Sequence, residues 1–108
     1  MKVIIKATNF DLTLELKRVI EEKIATLDKF IPHINTPVEA FIEVAIENRH
    51  HKKGKIYYAE ANIKVPGDII RSEAREENIY KAINKMKDEL QGLFKKYKER
   101  QAARKKGR

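Results

Sequence analysis

The sequence VEAFIEVAIE at residues 38–47 alternates between two sets of side chains, one wholly apolar and the other made of three glutamates with Phe41 and Ala45. This period of two is typical of a β-strand that buries one face and leaves the other in water. Its inward-facing side chains are Val38, Ala40, Ile42, Val44 and Ile46. The sequence IYYAEANIKV at residues 56–65 alternates in the same way. Because a polar stretch containing Gly54 separates the two, the pattern predicts a β-hairpin.

Two shorter strands flank this hairpin. Residues 2–8 alternate in the same manner and predict a first strand. After the hairpin, Pro66 and Gly67 predict a tight turn, because proline fixes φ at the first central position and glycine accepts positive φ at the second. A short fourth strand is then predicted over residues 69–75.

Helices are predicted on either side of this strand region. Apolar residues at three-to-four spacing predict a first helix over residues 13–30, capped by Thr13 and stopped before Pro32. A second helix is predicted to open at Glu76 and Glu77. Its inward-facing set is Ile79, Ala82, Ile83, Met86, Leu90, Leu93, Phe94 and Tyr97. The order β-α-β-β-β-α predicts an α+β fold, a four-stranded sheet with both helices packed on one face.

The other face of this sheet, named the open sheet face below, would remain in water. It carries five cations and five carboxylates: Lys2, Lys6, Lys64, Arg71, Arg75, Glu39, Glu43, Glu47, Glu60 and Glu73. Opposite charges on adjacent strands favour cross-strand pairs over a polyanion site. Phe41 and Tyr58 also lie there, and two exposed aromatics on a sheet can stack RNA bases. A general RNA-binding domain that uses this face is therefore one alternative.

Charge is concentrated at one end of the chain. The 108 residues carry a formal net charge of +8, and residues 95–108 hold eight Lys and Arg against one Glu. We interpret residues 1–98 as one α+β domain and residues 99–108 as a basic C-terminal tail. Such a field favours nucleic acid first and an anionic membrane surface second.

Several classes of function find no support in the sequence. The chain has no cysteine, which excludes disulfides and thiolate metal sites and leaves the redox compartment open. It has no apolar run long enough for a secretory signal or a membrane span, which predicts a cytoplasmic protein without a membrane partner. His50 and His51 are adjacent and lack further ligands at suitable spacing, and His33 is distant, so no metal site is predicted. Nucleophile–base pairs and glycine-rich phosphate loops are absent, which predicts no enzyme activity, no cofactor and no small-molecule substrate.

Basic residues follow the solvent side of both helices. On the second helix, Lys81, Lys85 and Lys96 fall within about 60° of one another at 100° per residue. Lys87, Lys95 and Lys98 lie along another flank. Because no acidic block compensates the last fourteen residues, these cations favour phosphate binding over an inert solvated face.

Two longer stretches resemble a known family, the ribosome hibernation promoting factor and ribosome-associated inhibitor A group. These are NFDLTLELKRVIEEKIATLDKF at the first helix and VPGDIIRSEAREENIYKAINKMKDEL from the turn into the second helix. The resemblance covers residues 2–98 and implies the same element order. It also implies a factor that docks in the decoding region of the small ribosomal subunit, contacts rRNA phosphates through helix cations, and sterically blocks tRNA and mRNA.

The resemblance, together with the helix charges, predicts a set of rRNA-binding residues: Lys17, Lys23, Lys29, Lys81, Lys85, Lys87, Lys95, Lys96, Lys98 and Arg100. Three positions where the family is basic differ here, namely Thr26, Glu89 and Gly92. The predicted partner is the small ribosomal subunit with its rRNA, and the free protein is expected to be a monomer. A basic module that binds another partner or a membrane surface is the remaining alternative.

Overall fold

Four strands form one sheet in the order β1-β2-β3-β4. The computed structural model describes residues 1–31, 38–48 and 54–106. The strands are β1 (Lys2–Thr8), β2 (Glu39–Asn48), β3 (Lys55–Val65) and β4 (Asp68–Glu76). β1 is parallel to β2, and the other two pairs are antiparallel. The parallel pair needs a helical crossover, which α1 supplies, so the predicted order β-α-β-β-β-α is confirmed.

The first helix is shorter than the sequence pattern predicted. Helix α1 (Leu14–Ala25) begins after Thr13, whose side chain accepts a hydrogen bond from the Leu16 amide at 3.1 Å, as expected of an N-cap. A 3-10 turn over Asp28–Phe30 replaces the predicted continuation. The Thr26 hydroxyl donates to the Lys23 carbonyl at 2.6 Å, and the following bonds have a three-residue spacing. A side chain thus takes a carbonyl from the helical ladder and ends it.

Helix α2 (Ile79–Lys106) has 28 residues and begins later than predicted. Glu76 is instead the last residue of β4, where it pairs with Tyr57 of β3. The Asn78 side chain accepts hydrogen bonds from the amides of Tyr80 and Lys81 at 2.8 and 3.3 Å. Asn78 therefore starts the helix by capping it, and the residues predicted as a separate tail continue the same helix to Lys106.

The hydrophobic core lies between the sheet and the two helices, as predicted. The inward side chains of the strands and one stripe of each helix form a single buried cluster. Its fully buried large members are Ile20, Ile24, Leu27, Ile42, Val44, Ile63, Ile83, Met86, Leu90 and Phe94. Both helices consequently pack on one sheet face. The two helices with the 3-10 turn are named the helix layer below.

Three polar contacts fix α2 on the sheet. The Ser72 hydroxyl, 2% exposed, donates to the Met86 carbonyl at 3.0 Å. The Tyr97 hydroxyl donates to the Pro66 carbonyl at 3.0 Å, and Arg100 pairs with Asp68 at 2.7 Å. Gly67 in the same turn has a φ of 81°, as the turn prediction required. The Arg100 end of α2 therefore lies beside the start of β4.

Candidate nucleic-acid interface

All ten predicted rRNA-binding residues lie in the helix layer. Eight are exposed, whereas Lys23 and Lys87 are half-buried. The Nζ atom of Lys29 lies 5.3 Å from the centroid of the Phe30 ring. Because α1 and α2 share one side of the sheet, these cations are distributed over a single layer instead of surrounding the molecule.

The structure gathers one subset of the cations beside β4. Arg100 pairs with Asp68 at 2.7 Å, and Lys85 approaches Glu76 at 3.9 Å. Lys96 lies between these two positions along α2 and shares a groove with Arg100. This outer flank of α2 therefore runs antiparallel to β4 along the edge of the sheet.

A second subset lies on the opposite side of α2. Lys87 and Lys96 are nine residues apart, which separates them by about 180° around a helix. The Nζ atom of Lys87 donates to Gln91 Oε1 at 2.9 Å and lies 3.8 Å from Asp88. Because the outer flank faces β4, Lys87 lies on the side of α2 that faces α1. The cations of α2 thus lie on two separate surfaces of the helix.

Both arginines of the open sheet face are paired with glutamates, as predicted. Arg75 lies 3.1 Å from Glu47 and 3.8 Å from Glu73, and Arg71 lies 3.4 Å from Glu60 and 3.7 Å from Glu73. Hydrogen bonding to Glu47 raises the pKa of Arg75 above its already high value. Two of these contacts join different strands and two lie within β4. Because they occupy both arginines, they oppose the use of the face as a polyanion site.

The prediction that Tyr58 is exposed is wrong. Its side chain is 8% exposed because the Arg75 guanidinium covers the ring at 4.6 Å from the centroid. The hydroxyl lies between two carboxylates, donating to Glu73 at 2.9 Å and also to Glu60. Burial, with these hydrogen bonds, raises the pKa of Tyr58, whereas the bond from Tyr58 is the main cause that lowers the pKa of Glu60. Phe41, 49% exposed, keeps an accessible ring.

Sequence reasoning missed the position of Arg71. Alternation placed it correctly on the open face, but the structure also brings it to the groove with Lys96 and Arg100. The antiparallel course of α2 along β4 creates this neighbourhood. The charge pattern of each element taken alone gave no indication of it.

In the described residues, a metal site and a membrane-spanning helix find no support. His33, His50 and His51 lie outside the described residues. Over residues 1–31, 38–48 and 54–106, no group of three potential ligands among His, Cys, Asp and Glu could hold a metal ion. Within those same ranges, neither helix is long and apolar enough to cross a membrane.

Comparison with known proteins places the fold and its charged helices in a family. A family model described as "Sigma 54 modulation protein / S30EA ribosomal protein" matches residues 3–102. The chain belongs to this family. The match spans all six principal elements and confirms the resemblance found in the sequence.

Individual S30EA relatives differ in length. The chain is 33% identical over 107 residues to the ribosome hibernation promoting factor of Azotobacter vinelandii, covering 99% of this chain and 92% of the relative. It is 29% identical over 92 residues to the ribosome hibernation promotion factor of Deinococcus radiodurans, covering 85% of this chain but 46% of that protein. The chain therefore spans about half the length of some curated S30EA relatives and nearly all of others.

A solved structure shares the fold. The crystal structure of the Thermus thermophilus Protein Y N-terminal domain superposes with a TM-score of 0.74 at 21% identity. The match covers 90% of this chain and 99% of that domain. The α+β architecture assigned to this S30EA family member is therefore also found in a solved structure.

Proposed function

We propose that the protein is a non-enzymatic, cytoplasmic ribosome-associated factor that inhibits translation and promotes ribosome hibernation. In this proposal it binds the decoding region of the small ribosomal subunit through rRNA phosphates and blocks tRNA and mRNA. Two relatives, whose own length this chain covers to 92% and 90%, bear the name ribosome hibernation promoting factor, which supports the general activity. The observation that carries the binding mode is the helix layer, which holds all ten of these cations and leaves eight of them exposed.

Phosphate binding would follow because some of these cations form no ion pair with a carboxylate. Among the residues that the structure describes, Lys95, Lys96 and Lys98 form no ion pair. Binding of phosphate by such cations releases condensed counterions and is favourable at low salt. The block itself would be steric, because a domain with extents of 55 × 28 × 17 Å and an RNA strand cannot share one channel.

The three departures from the family's basic positions shape this proposal. Glu89 and Gly92 are exposed on the outer flank of α2, with Lys85 one turn before Glu89 and Lys96 one turn after Gly92. We propose that Lys85 and Lys96 supply the phosphate contacts of this flank. Thr26, by contrast, uses its hydroxyl to end α1.

Sedimentation and cell-free translation test the proposal directly. The full chain should co-sediment with small subunits as a monomer and should inhibit cell-free translation as its concentration rises. If about six phosphates are neutralised, the logarithm of the association constant should fall against log salt with a slope of roughly −4 to −5. Full translation at saturating protein would contradict the proposal.

A matched variant separates the helix layer from the open sheet face. Phe41→Ala removes the accessible aromatic of that face and should leave subunit affinity unchanged. Loss of binding in Phe41→Ala, with full binding retained in Lys96→Gln, would instead support a general RNA-binding domain that uses the sheet.

A further inference from the structure

A groove runs between the free edge of β4 and the outer flank of α2. It has a volume of about 310 Å³ and brings together apolar Ile69 and Leu93 with cationic Arg71, Lys96 and Arg100. β4 is the last strand of the sheet, so within the described part of the chain no further strand covers this edge. The groove is open to a ligand that offers both charge and an apolar surface.

Two arginines line this groove. Arg100 is fixed by Asp68 at 2.7 Å, and its side chain nevertheless remains 61% exposed. A guanidinium carries five N–H donors in a fixed fork, so this single carboxylate contact leaves donors available. Arg100 is therefore oriented without being saturated, whereas Arg71 is held by Glu60 and Glu73 of the open sheet face at 3.4 and 3.7 Å.

Lys96 adds a cation of a different kind. It is exposed, and no carboxylate among the described residues pairs with it. A lysine ammonium binds phosphate as a compact point charge, whereas arginine binds it through a planar fork. The groove consequently combines one free ammonium with the oriented guanidinium of Arg100.

The apolar side chains narrow the class of ligand. Ile69 is 62% exposed, and Leu93 lies half-buried beside it. A bare phosphate gains nothing from these side chains. An unpaired nucleotide carries a phosphate and a base with an apolar face, and proteins that recognise RNA specifically bind such unpaired nucleotides most often.

We infer that the groove is a second RNA-binding site, which takes the phosphate and the base of an unpaired nucleotide, with Lys96 and Arg100 at the phosphate and Ile69 at the base. The inference rests on the proposed function and extends it. Lys87 faces α1 while Lys96 faces β4, so the protein contacts two RNA segments on opposite sides of α2. One of these segments is single-stranded.

Nuclear magnetic resonance of the ¹⁵N-labelled full chain, titrated with oligouridine, tests the site. Amides of Ile69, Arg71 and residues 93–100 should shift. Lys96→Gln should weaken binding about fivefold and reduce the salt slope by about 0.7, the value for one phosphate contact on a single strand. Ile69→Ser should weaken binding by a similar factor without changing the slope, because it removes only the apolar contact.

The control is Lys6→Gln, which removes the same charge from an exposed lysine of β1. It should leave oligouridine binding unchanged. The inference is overturned if shifts occur only on the side of α2 that faces α1, if Ile69→Ser binds as the wild type does, or if oligoglutamate but not oligouridine shifts the groove amides. Sedimentation judges the proposed function separately: wild-type protein that fails to pellet with small subunits contradicts that function, whereas oligouridine shifts in the groove would still support the site.

Discussion

The open face of the sheet and the helix layer on its other side both carry many charges, but they differ in which cations form ion pairs. On the open sheet face, Arg71 and Arg75 are paired with glutamates of β2, β3 and β4 at 3.1 to 3.8 Å. In the helix layer, Lys95, Lys96 and Lys98 have no paired carboxylate among the described residues. Surface ion pairs contribute little stability, yet they consume the charge that a polyanion would need. The ion pairs of Arg71 and Arg75 therefore weaken the open sheet face as a candidate interface, whereas the charges of Lys95, Lys96 and Lys98 remain available.

The largest effect should come from the side of α2 that has no charge. Phe94 is fully buried in the core, so Phe94→Ala should lower the free energy of unfolding by about 3–5 kcal/mol. Lys95→Ala, one residue away on the solvent side, should change it by less than about 0.5 kcal/mol. Urea denaturation measures both. Equal losses would mean that α2 is not anchored through its apolar stripe.

Removal of residues 99–108 should separate binding from folding. The last buried side chain in the described chain is Tyr97, so the melting temperature should change by less than about 4 °C. The segment holds five cations and one glutamate. Loss of two or three phosphate contacts should weaken subunit binding roughly 10- to 100-fold at about 0.1 M salt. Unchanged affinity would assign all binding to the cations up to Lys98.

Tyr58→Phe should show how the open face stabilises the fold. The folded pKa of Glu60 is lowered, mainly by the Tyr58 hydroxyl. Its contribution is thus present above the unfolded pKa of about 4.3 and is lost as pH falls through the lower, folded value. The variant should lose about 1–2 kcal/mol at pH 7 and progressively less towards about pH 3.

Urea denaturation at both pH values checks the Tyr58 prediction, with Tyr57→Phe as the control. Tyr57 is the adjacent residue and points to the other face of β3. The loss of stability in Tyr57→Phe should be the same at pH 7 and at about pH 3. A Tyr58→Phe loss that does not depend on pH would show that the phenol is not coupled to the carboxylates.

Gly92→Lys should produce the smallest change and one of opposite sign. Apart from the adjacent residues and the backbone of the same helical turns, no atom lies within 4 Å of the Cβ that a side chain would add there. Replacing an exposed glycine inside a helix should raise the free energy of unfolding by about 0.5–1 kcal/mol. The added cation should also tighten subunit binding by a few fold, as sedimentation at several salt concentrations would show. Gly92→Ala, which should raise stability without tightening binding, is the control.

Much of this fold follows from local sequence patterns. Alternation correctly placed both faces of β2 and β3, and the positive φ of Gly67 and the cap at Thr13 also follow from local chemistry. The errors arise where partners distant in sequence compete. Tyr58 is buried by Arg75 from the next strand, and Glu76 remains in β4 because Tyr57 pairs with it.

The candidate site could be predicted from the sequence to a similar extent. Helix periodicity placed the cations in the helix layer, since rotation around one helix depends only on sequence. The neighbourhood of Arg71, Lys96 and Arg100 depends on how α2 crosses β4, a relation between elements that periodicity does not contain. Local patterns thus assign the class of surface, whereas packing assigns the groups that act together.

Ser72 constrains the rotation of α2 about its own axis relative to the sheet. Its buried hydroxyl bonds one particular carbonyl of α2, that of Met86, and a hydrogen bond is directional in a way that apolar contact is not. If α2 turned by one residue, every side chain would rotate by about 100°, which would carry Lys96 out of the β4 groove. This hydroxyl, together with the buried apolar stripe of α2, therefore sets the rotation of the helix and with it the surface on which each lysine of α2 lies.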